Sequence, residues 1–310
     1  MKRFLRRVLI VVVVFLVVIT AGSFGYNAFT SGTASAPDGL KFVQAGDVRT
    51  RYETWGTTGT PVVLVHGSVE SVDTWSRLVP LLAAKHRVYA YDITGYGYSE
   101  RKAPYTVEHL AAQLLGFLDA MHLGGPGQPR PILVGHSLGA GIAAEATLEA
   151  PARVGGLMFL DGDGLPLPGG GPPTALIVPP YRTTLFRMVL GSDWLLRRIY
   201  KATCGPSCPA MDVDQWVRPF RQPGAEKAVW EMTAHGIPAV PADRLARLRD
   251  VPVATAVVFG ALDTQGGNAD ETATRIGAPA PTIIPGANHL TPISNPGEIA
   301  TAVDALAARS

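Results

Sequence analysis

Ser137 stands in Gly135-His136-Ser137-Leu138-Gly139, where the apolar run Pro131-Ile132-Leu133-Val134 stops and Gly139-Ala140-Gly141-Ile142-Ala143-Ala144 begins. This pattern reads as a short buried strand that reverses over one residue into a helix, the shape of a nucleophile elbow. Such a reversal strains the serine backbone, so its neighbours must be too small to clash, which Gly135 and Gly139 provide. The hydroxyl is then pushed out at the strand's carboxyl end, beside a helix N-terminus whose N–H groups and dipole favour developing negative charge. A small-residue turn without chemistry has the same pentapeptide, so the downstream residues decide. Asp263 follows the apolar run 251–259, and His289 follows the short run 281–284. In that set Ser137 attacks an acyl carbonyl and His289 takes and returns its proton. Asp263 holds the imidazole tautomer and stabilises its cation. The backbone N–H groups of Leu138 and of Ser68, beside the His66-Gly67 turn, supply an oxyanion hole.

The elements that must position these residues alternate. Leu40–Val43 and Val48–Trp55 read as a hairpin around Ala45-Gly46-Asp47. Pro61–Val65 is a continuous β-branched run of the kind buried on both faces of a parallel sheet. A helix near Thr74–Lys85, a strand Arg87–Tyr91 and a helix Val107–His122 opened by Thr106 lead to the strand before Ser137. A helix to Glu149 and a strand Val154–Leu160 ending at Asp161 follow. The order predicts an α/β fold with a mostly parallel sheet, whose ligands gather beyond the carboxyl ends of its strands. Those ends carry His66, Asp92, Ser137 and Asp161. From Gly162 to Leu245 the alternation breaks down into Pro/Gly-rich sequence carrying Tyr181, Trp194, Tyr200, Trp216, Phe220 and Trp230. So many large aromatics predict a helical cap with its apolar underside toward the site, although each ring can equally serve only to hold the cap down. His235 there either touches substrate or faces solvent. After residue 251 the sheet resumes, with helices near Asp270–Ile276 and Pro296–Ala308.

The first thirty residues are of another kind. Lys2, Arg3, Arg6 and Arg7 outweigh the whole formal charge of +2, so the remaining body is mildly acidic and offers no electrostatic footprint for nucleic acid. Behind them, Val8–Ile19 is continuously apolar, and small or apolar residues continue to Phe29. As a helix, Val8–Phe29 rises roughly 33 Å, enough for a hydrocarbon core of about 30 Å. The cation cluster stays cytoplasmic, which places the body on the outer side of a cell membrane. A cleaved signal peptide, with Ala34-Ser35-Ala36 as the cleavage site, is the rival and makes the body secreted. Either route exports the body, so Cys204 and Cys208 are a candidate disulfide closing a tight loop, with free thiols as the alternative. No histidine or further cysteine lies near enough in sequence to complete a four-ligand metal site there. The domain layout is an anchor or signal segment 1–30, a linker 31–39, a core from 40–161 and 246–310, and the cap 162–245.

The order Ser137, Asp263, His289 and the turns His66-Gly67-Ser68 and Asp92-Ile93-Thr94-Gly95-Tyr96-Gly97-Tyr98-Ser99 together resemble the α/β-hydrolase fold family in its serine hydrolase branch. Trp75 sits where that family's next helix often has an aromatic, and Thr94 departs from the common proline. The resemblance implies an α/β-hydrolase sheet with helices on both faces, an inserted helical cap, and a small-molecule substrate. It implies no metal or organic cofactor. It also raises Asp161 as a rival triad acid, since some members place the acid after the earlier strand. His66 and His136 belong to motif turns as structural residues, and Asp92 as a turn-stabilising carboxylate. The expected activity is that of a carboxylesterase. Lipase, C–C bond hydrolase and perhydrolase chemistry reuse the same triad, and a non-catalytic ligand-binding protein can keep the fold. Ser137 in place of an aspartate argues against dehalogenase and epoxide hydrolase chemistry.

Overall fold

The computed structural model describes residues 1–166, 178–234 and 236–310. The Pro/Gly stretch at 167–177 and His235, both assigned above to the cap, lie outside the described residues. Among the described residues one sheet has the strands β1 Lys41–Ala45, β2 Val48–Trp55, β3 Pro61–Val65, β4 Arg87–Tyr91, β5 Ile132–His136, β6 Gly156–Leu160, β7 Ala254–Gly260 and β8 Thr282–Ile284. Their order is β1-β2-β4-β3-β5-β6-β7-β8, antiparallel through the β2/β4 pair and parallel from β4 to β8. The expected α/β fold with its mostly parallel sheet is therefore present.

The helices are α1 Lys2–Phe29, α2 Val79–Leu82, α3 Val107–Ala120 and α4 Leu138–Glu149. Between β6 and β7 come α5 Tyr181–Leu190, α6 Asp193–Cys204, α7 Val213–Val217, α8 Ala225–Thr233 and α9 Ala242–Ala246. After β7 come α10 Ala269–Ile276, α11 Thr291–Ser294 and α12 Pro296–Ala307. β3, β5 and β6 are buried at every residue because helices cover both faces. Strand side chains alternate between faces. Val63, Val65, Leu133, Leu157 and Phe159 therefore pack with α3, α4 and α10, while Val62, Leu64, Ile132, Val134 and Met158 pack with Trp75, α2 and α12. Each such side chain contributes about 1.5–3 kcal/mol by leaving water.

Local chemistry sets the helix ends. The Thr106 hydroxyl accepts from His109 N at the start of α3, and Asn268 Oδ1 accepts from Glu271 N at the start of α10. The expected helix over 74–85 is instead a 3-10 turn, Val72–Trp75, followed by the four-residue α2. Pro80 has no N–H for a bond to the preceding turn, so a continuous helix cannot cross it, and it sits in the first turn of α2 where none is required. The stretch read as a linker is partly docked: Ala34 N donates to Arg221 O at 3.2 Å, and Gln222 Nε2 donates to Ala34 O at 2.8 Å. A disulfide joins Cys204 to Cys208. α1, whose most apolar 18-residue stretch has mean hydropathy 2.8, is long and apolar enough to cross a membrane by length and composition.

Candidate active site

The carboxyl ends of the strands bring the spaced residues into one place. Ser137 caps β5 with φ +52° and ψ −118°, a conformation that non-glycine residues rarely adopt. The surrounding backbone leaves no room for larger neighbours. A Cβ on Gly135 would meet Gly139 O at 2.2 Å, and one on Gly139 would meet Val65 O at 2.1 Å. The elbow is thus wedged between its own helix and the end of β3, and this packing holds the strained serine in place.

His289 Nε2 lies 3.0 Å from Ser137 Oγ, and its Nδ1 lies 2.9 Å from Asp263 Oδ2. With the Nδ1 proton donated to the carboxylate, Nε2 is free to accept from the serine hydroxyl. Burial pushes the Asp263 carboxyl up, but the hydrogen bond and charge of His289, with the N–H groups of Gln265 and Gly266, bring it net below the ordinary carboxylate range. Asp161 makes no hydrogen bond to the His289 ring. It accepts from Gly260 N at 2.9 Å, from Thr291 N at 3.2 Å and from the Thr291 hydroxyl, so it ties β7 to the chain just after His289. Ser68 and Leu138 line the same cavity as Ser137 and His289. Leu138 opens α4, so its N–H is among the four at a helix start without an intrahelical partner.

Beneath this chain lies a buried charge cluster that sequence reasoning missed. His136 Nδ1 lies 3.1 and 3.2 Å from the two Glu70 carboxylate oxygens, and its Nε2 lies 2.8 Å from His289 O. Both partners are acceptors, so both ring nitrogens carry protons. Burial pushes the His136 ring down, but the Glu70 carboxylate and its hydrogen bond carry it up to about 9. Glu70 is the converse: burial raises it, and His136 brings it down to about 2. Glu70 also accepts from Gly67 N at 3.2 Å, so one ion pair links the Gly67-Ser68 turn to the backbone of His289. Asp161, buried nearby, is pushed up to about 6 by desolvation, against the pull of His136. The sequence holds one signal for this cluster, a histidine flanking the elbow that burial obliges to find a partner.

His66 is neutral by geometry: Nε2 accepts from Ile93 N at 3.0 Å while Nδ1 faces Gly67 O at 2.8 Å, and burial lowers its pKa. Asp92 accepts from Val72 N and Tyr98 N, fastening the Gly95–Gly97 turn. Above Ser137 a cavity of about 1080 Å³ is roofed by the helices between β6 and β7, among them Phe186, Leu196, Tyr200, Trp216 and Phe220. Trp194 faces solvent, and Trp230 lies beside Arg182. The roof meets the histidine loop where His289 N donates to Thr203 O and Asn288 Nδ2 donates to Ala202 O.

A model of the alpha/beta hydrolase family matches residues 62–302. The chain belongs to the alpha/beta hydrolase family. It is 33% identical over 183 residues, 54% of its length, to 2-hydroxy-6-oxo-2,4-heptadienoate hydrolase of Pseudomonas putida F1, and 31% identical over 206 residues, 63% of its length, to epoxide hydrolase A of Mycobacterium tuberculosis. It spans 63% and 59% of those two curated relatives. A solved serine hydrolase involved in carbazole degradation superimposes with a TM-score of 0.67 at 25% identity, covering 87% of this chain and 98% of the other.

Proposed function

We propose that this hydrolase works through Ser137 as nucleophile, His289 as general base and Asp263 as its orienting acid, and that it cleaves carboxylic esters through an acyl-enzyme. The observation that carries the reading is the unbroken chain from Asp263 Oδ2 through both nitrogens of His289 to Ser137 Oγ, opening into the cavity. An ester carbonyl seated over Ser137 would direct its developing oxyanion to the N–H groups of Leu138 and Ser68. His289 would then protonate the leaving alcohol, and a water molecule would reverse the sequence to release the acid. The insertion 162–245 acts in this reading as the cap that selects substrate, and α1 as a membrane anchor with the body on the outer side.

A second reading, hydrolysis of a carbon–carbon bond, is favoured by the name of the Pseudomonas putida relative, whose substrate is a dienoate anion. Against it, the described lining of the cavity carries the carboxylates Glu70, Asp163 and Glu271 and neither lysine nor arginine. That lining favours a neutral ester over an anion, which would lose its hydration without gaining a partner. Labelling with a fluorophosphonate tests the nucleophile: capture at Ser137, abolished in Ser137→Ala, is expected. Turnover of p-nitrophenyl butyrate and of a 2-hydroxy-6-oxo dienoate by the same preparation tests the bond. Faster turnover of the dienoate would replace the ester reading with the carbon–carbon one.

A further inference from the structure

α5 presents three differently occupied faces. Tyr181, Thr184 and Arg187 bind α1: Tyr181 Oη lies 2.5 Å from Thr20 Oγ1, Thr184 Oγ1 donates to Asn27 Oδ1 at 3.1 Å, and Arg187 donates to Asn27 O. Phe186, Val189 and Leu190 line the cavity above Ser137. Leu185 and Met188 point outward and stay about half exposed. Pro180, Thr184 and Arg187 all bond Asn27 while Tyr181 reaches back to Thr20, so α5 is fastened to the last two turns of α1, about 10 Å of its length. A helix lying along an apolar 28-residue helix, with its free face also apolar, is suited to the boundary of a bilayer.

The next helix fits the same surface. Trp194 is 69% exposed with Arg198 over its ring, and Ile199, which also lines the cavity above Ser137, is half exposed. Across α5 and α6, Arg182, Arg187, Arg197, Arg198 and Lys201 face one acidic residue, Asp193. Exposed tryptophan and aliphatic groups among cations are the composition of a membrane-surface helix.

A second cavity, of about 560 Å³, lies where α1 ends, between Tyr26, Phe29, the residues 30–34 and the start of α8. It shares Phe186, Leu190 and Phe220 with the cavity above Ser137. The Phe186 and Phe220 rings stand edge to face, 6.4 Å between centroids, as the partition. Arg187, Arg221 and Glu226 give the outer chamber a charged rim.

Resting on the serine hydrolase reading, we propose that the outer chamber is the mouth through which a long-chain acyl ester passes from the bilayer to Ser137, its chain threading between Phe186 and Phe220. The substrate class is then a membrane-resident ester of a long-chain fatty acid, and α1 forms one wall of its entry path as well as the anchor. The chemistry is ester hydrolysis as above: water supplies the oxygen of the released acid and the proton of the released alcohol.

The test uses the full chain in phosphatidylcholine vesicles. A Cβ on Gly32, in the chamber wall, meets nothing within 4 Å, so Gly32→Trp begins in open space and adds a ring at the mouth. Umbelliferyl palmitate hydrolysis is expected to fall about tenfold or more relative to umbelliferyl butyrate, a shift of on the order of 1.4 kcal/mol. Equal changes for both esters would overturn the path. An independent arm uses Ser137→Ala in vesicles holding a diazirine-bearing fatty acyl ester. Photocapture on residues 181–191 or 218–226 is expected, and capture confined to residues 8–19 of α1 overturns the proposal. If Ser137 takes no fluorophosphonate and neither ester is cleaved, the serine hydrolase reading fails, while the photocapture still decides who occupies the mouth.

Discussion

The floor and the roof of the cavity are built on opposite principles. The floor is the strand ends, where charged groups are buried and each is paired: Glu70 with His136, Asp161 with Thr291 and Gly260, Asp263 with His289. The largest fully buried side chains, Trp75, Tyr91, Tyr96, Phe117 and Phe159, all belong to the sheet or to the helices and turns packed on it. The roof between β6 and β7 instead leaves Leu185, Met188, Trp194 and Ile199 exposed, and α5 has no buried residue. A buried, fully paired network tolerates little displacement, because any shift leaves a charge unpartnered at a cost of several kcal/mol. Within the roof, α5, which has no buried residue, can shift at low cost. On the proposed reading the floor does the chemistry and the roof selects, and variants on each side test that division.

The largest effects belong on the floor. Ser137→Ala or His289→Ala is expected to lower kcat on the order of 10⁶, with the double variant little worse, because the two act as one unit. Asp263→Asn is expected to cost on the order of 10⁴, by favouring the wrong tautomer of His289. Ester hydrolysis measured across these four variants and Asp161→Asn decides the matter: additive losses would sink the Ser137–His289 unit, and a loss in Asp161→Asn equal to that in Asp263→Asn would reassign the acid.

Next comes the ion pair beneath the triad. Glu70→Gln strands the His136 cation and is expected to cost about 3–5 kcal/mol of stability. The pH dependence carries a signature. His136 is raised from 6.5 to about 9, so its contribution is fully present below pH 6.5 and is lost as pH rises through 9. Glu70 is lowered from 4.5 to about 2, so its contribution is present above pH 4.5 and is lost as pH falls through 2. Asp161, raised from 3.8 to about 6, acts the other way and loses stability as pH rises through that interval, so the alkaline limb is the cleaner one. Thermal unfolding between pH 6 and 10 should show Tm falling in the parent chain and a flatter, lower curve in Glu70→Gln. A parallel pair of curves would mean that the two residues are not coupled.

The division between floor and roof also explains what could be read in the sequence. β3, β5 and β6 announce themselves as β-branched or apolar runs because both their faces are buried, and Ser137 directly follows one of them, whereas Asp263 and His289 come three and five residues after the ends of β7 and β8. Glu70 gives no such sign: its partner lies 66 positions away, and nothing local separates a buried glutamate from an exposed one. The roof is harder still. α5 has three partnered or exposed faces rather than one apolar stripe, so its periodicity does not reveal that one face binds α1 and another lines the cavity. Pro80 hid the end of a helix for a different reason, since an apolar spacing continues across a residue that cannot carry the hydrogen bond.

The smallest effect comes from where the roof touches the floor. Cys204 is fully buried at the end of α6, directly after the Ala202 and Thr203 carbonyls that hold Asn288 and His289. The disulfide to Cys208 closes a loop so short that its removal costs on the order of 2 kcal/mol. Replacing both cysteines by serine is expected to lower kcat by less than about tenfold, corresponding to under roughly 1.4 kcal/mol at the transition state. The fluorophosphonate labelling rate of Ser137 should fall in the same proportion, because both depend on His289 holding its ring between Asp263 and the serine. A fall in kcat without slower labelling would place the effect in substrate binding by the roof. A loss approaching that of Asp263→Asn would instead make α6 part of the catalytic machinery, since the histidine would then owe its position to the roof as much as to Glu70 and His136 below it.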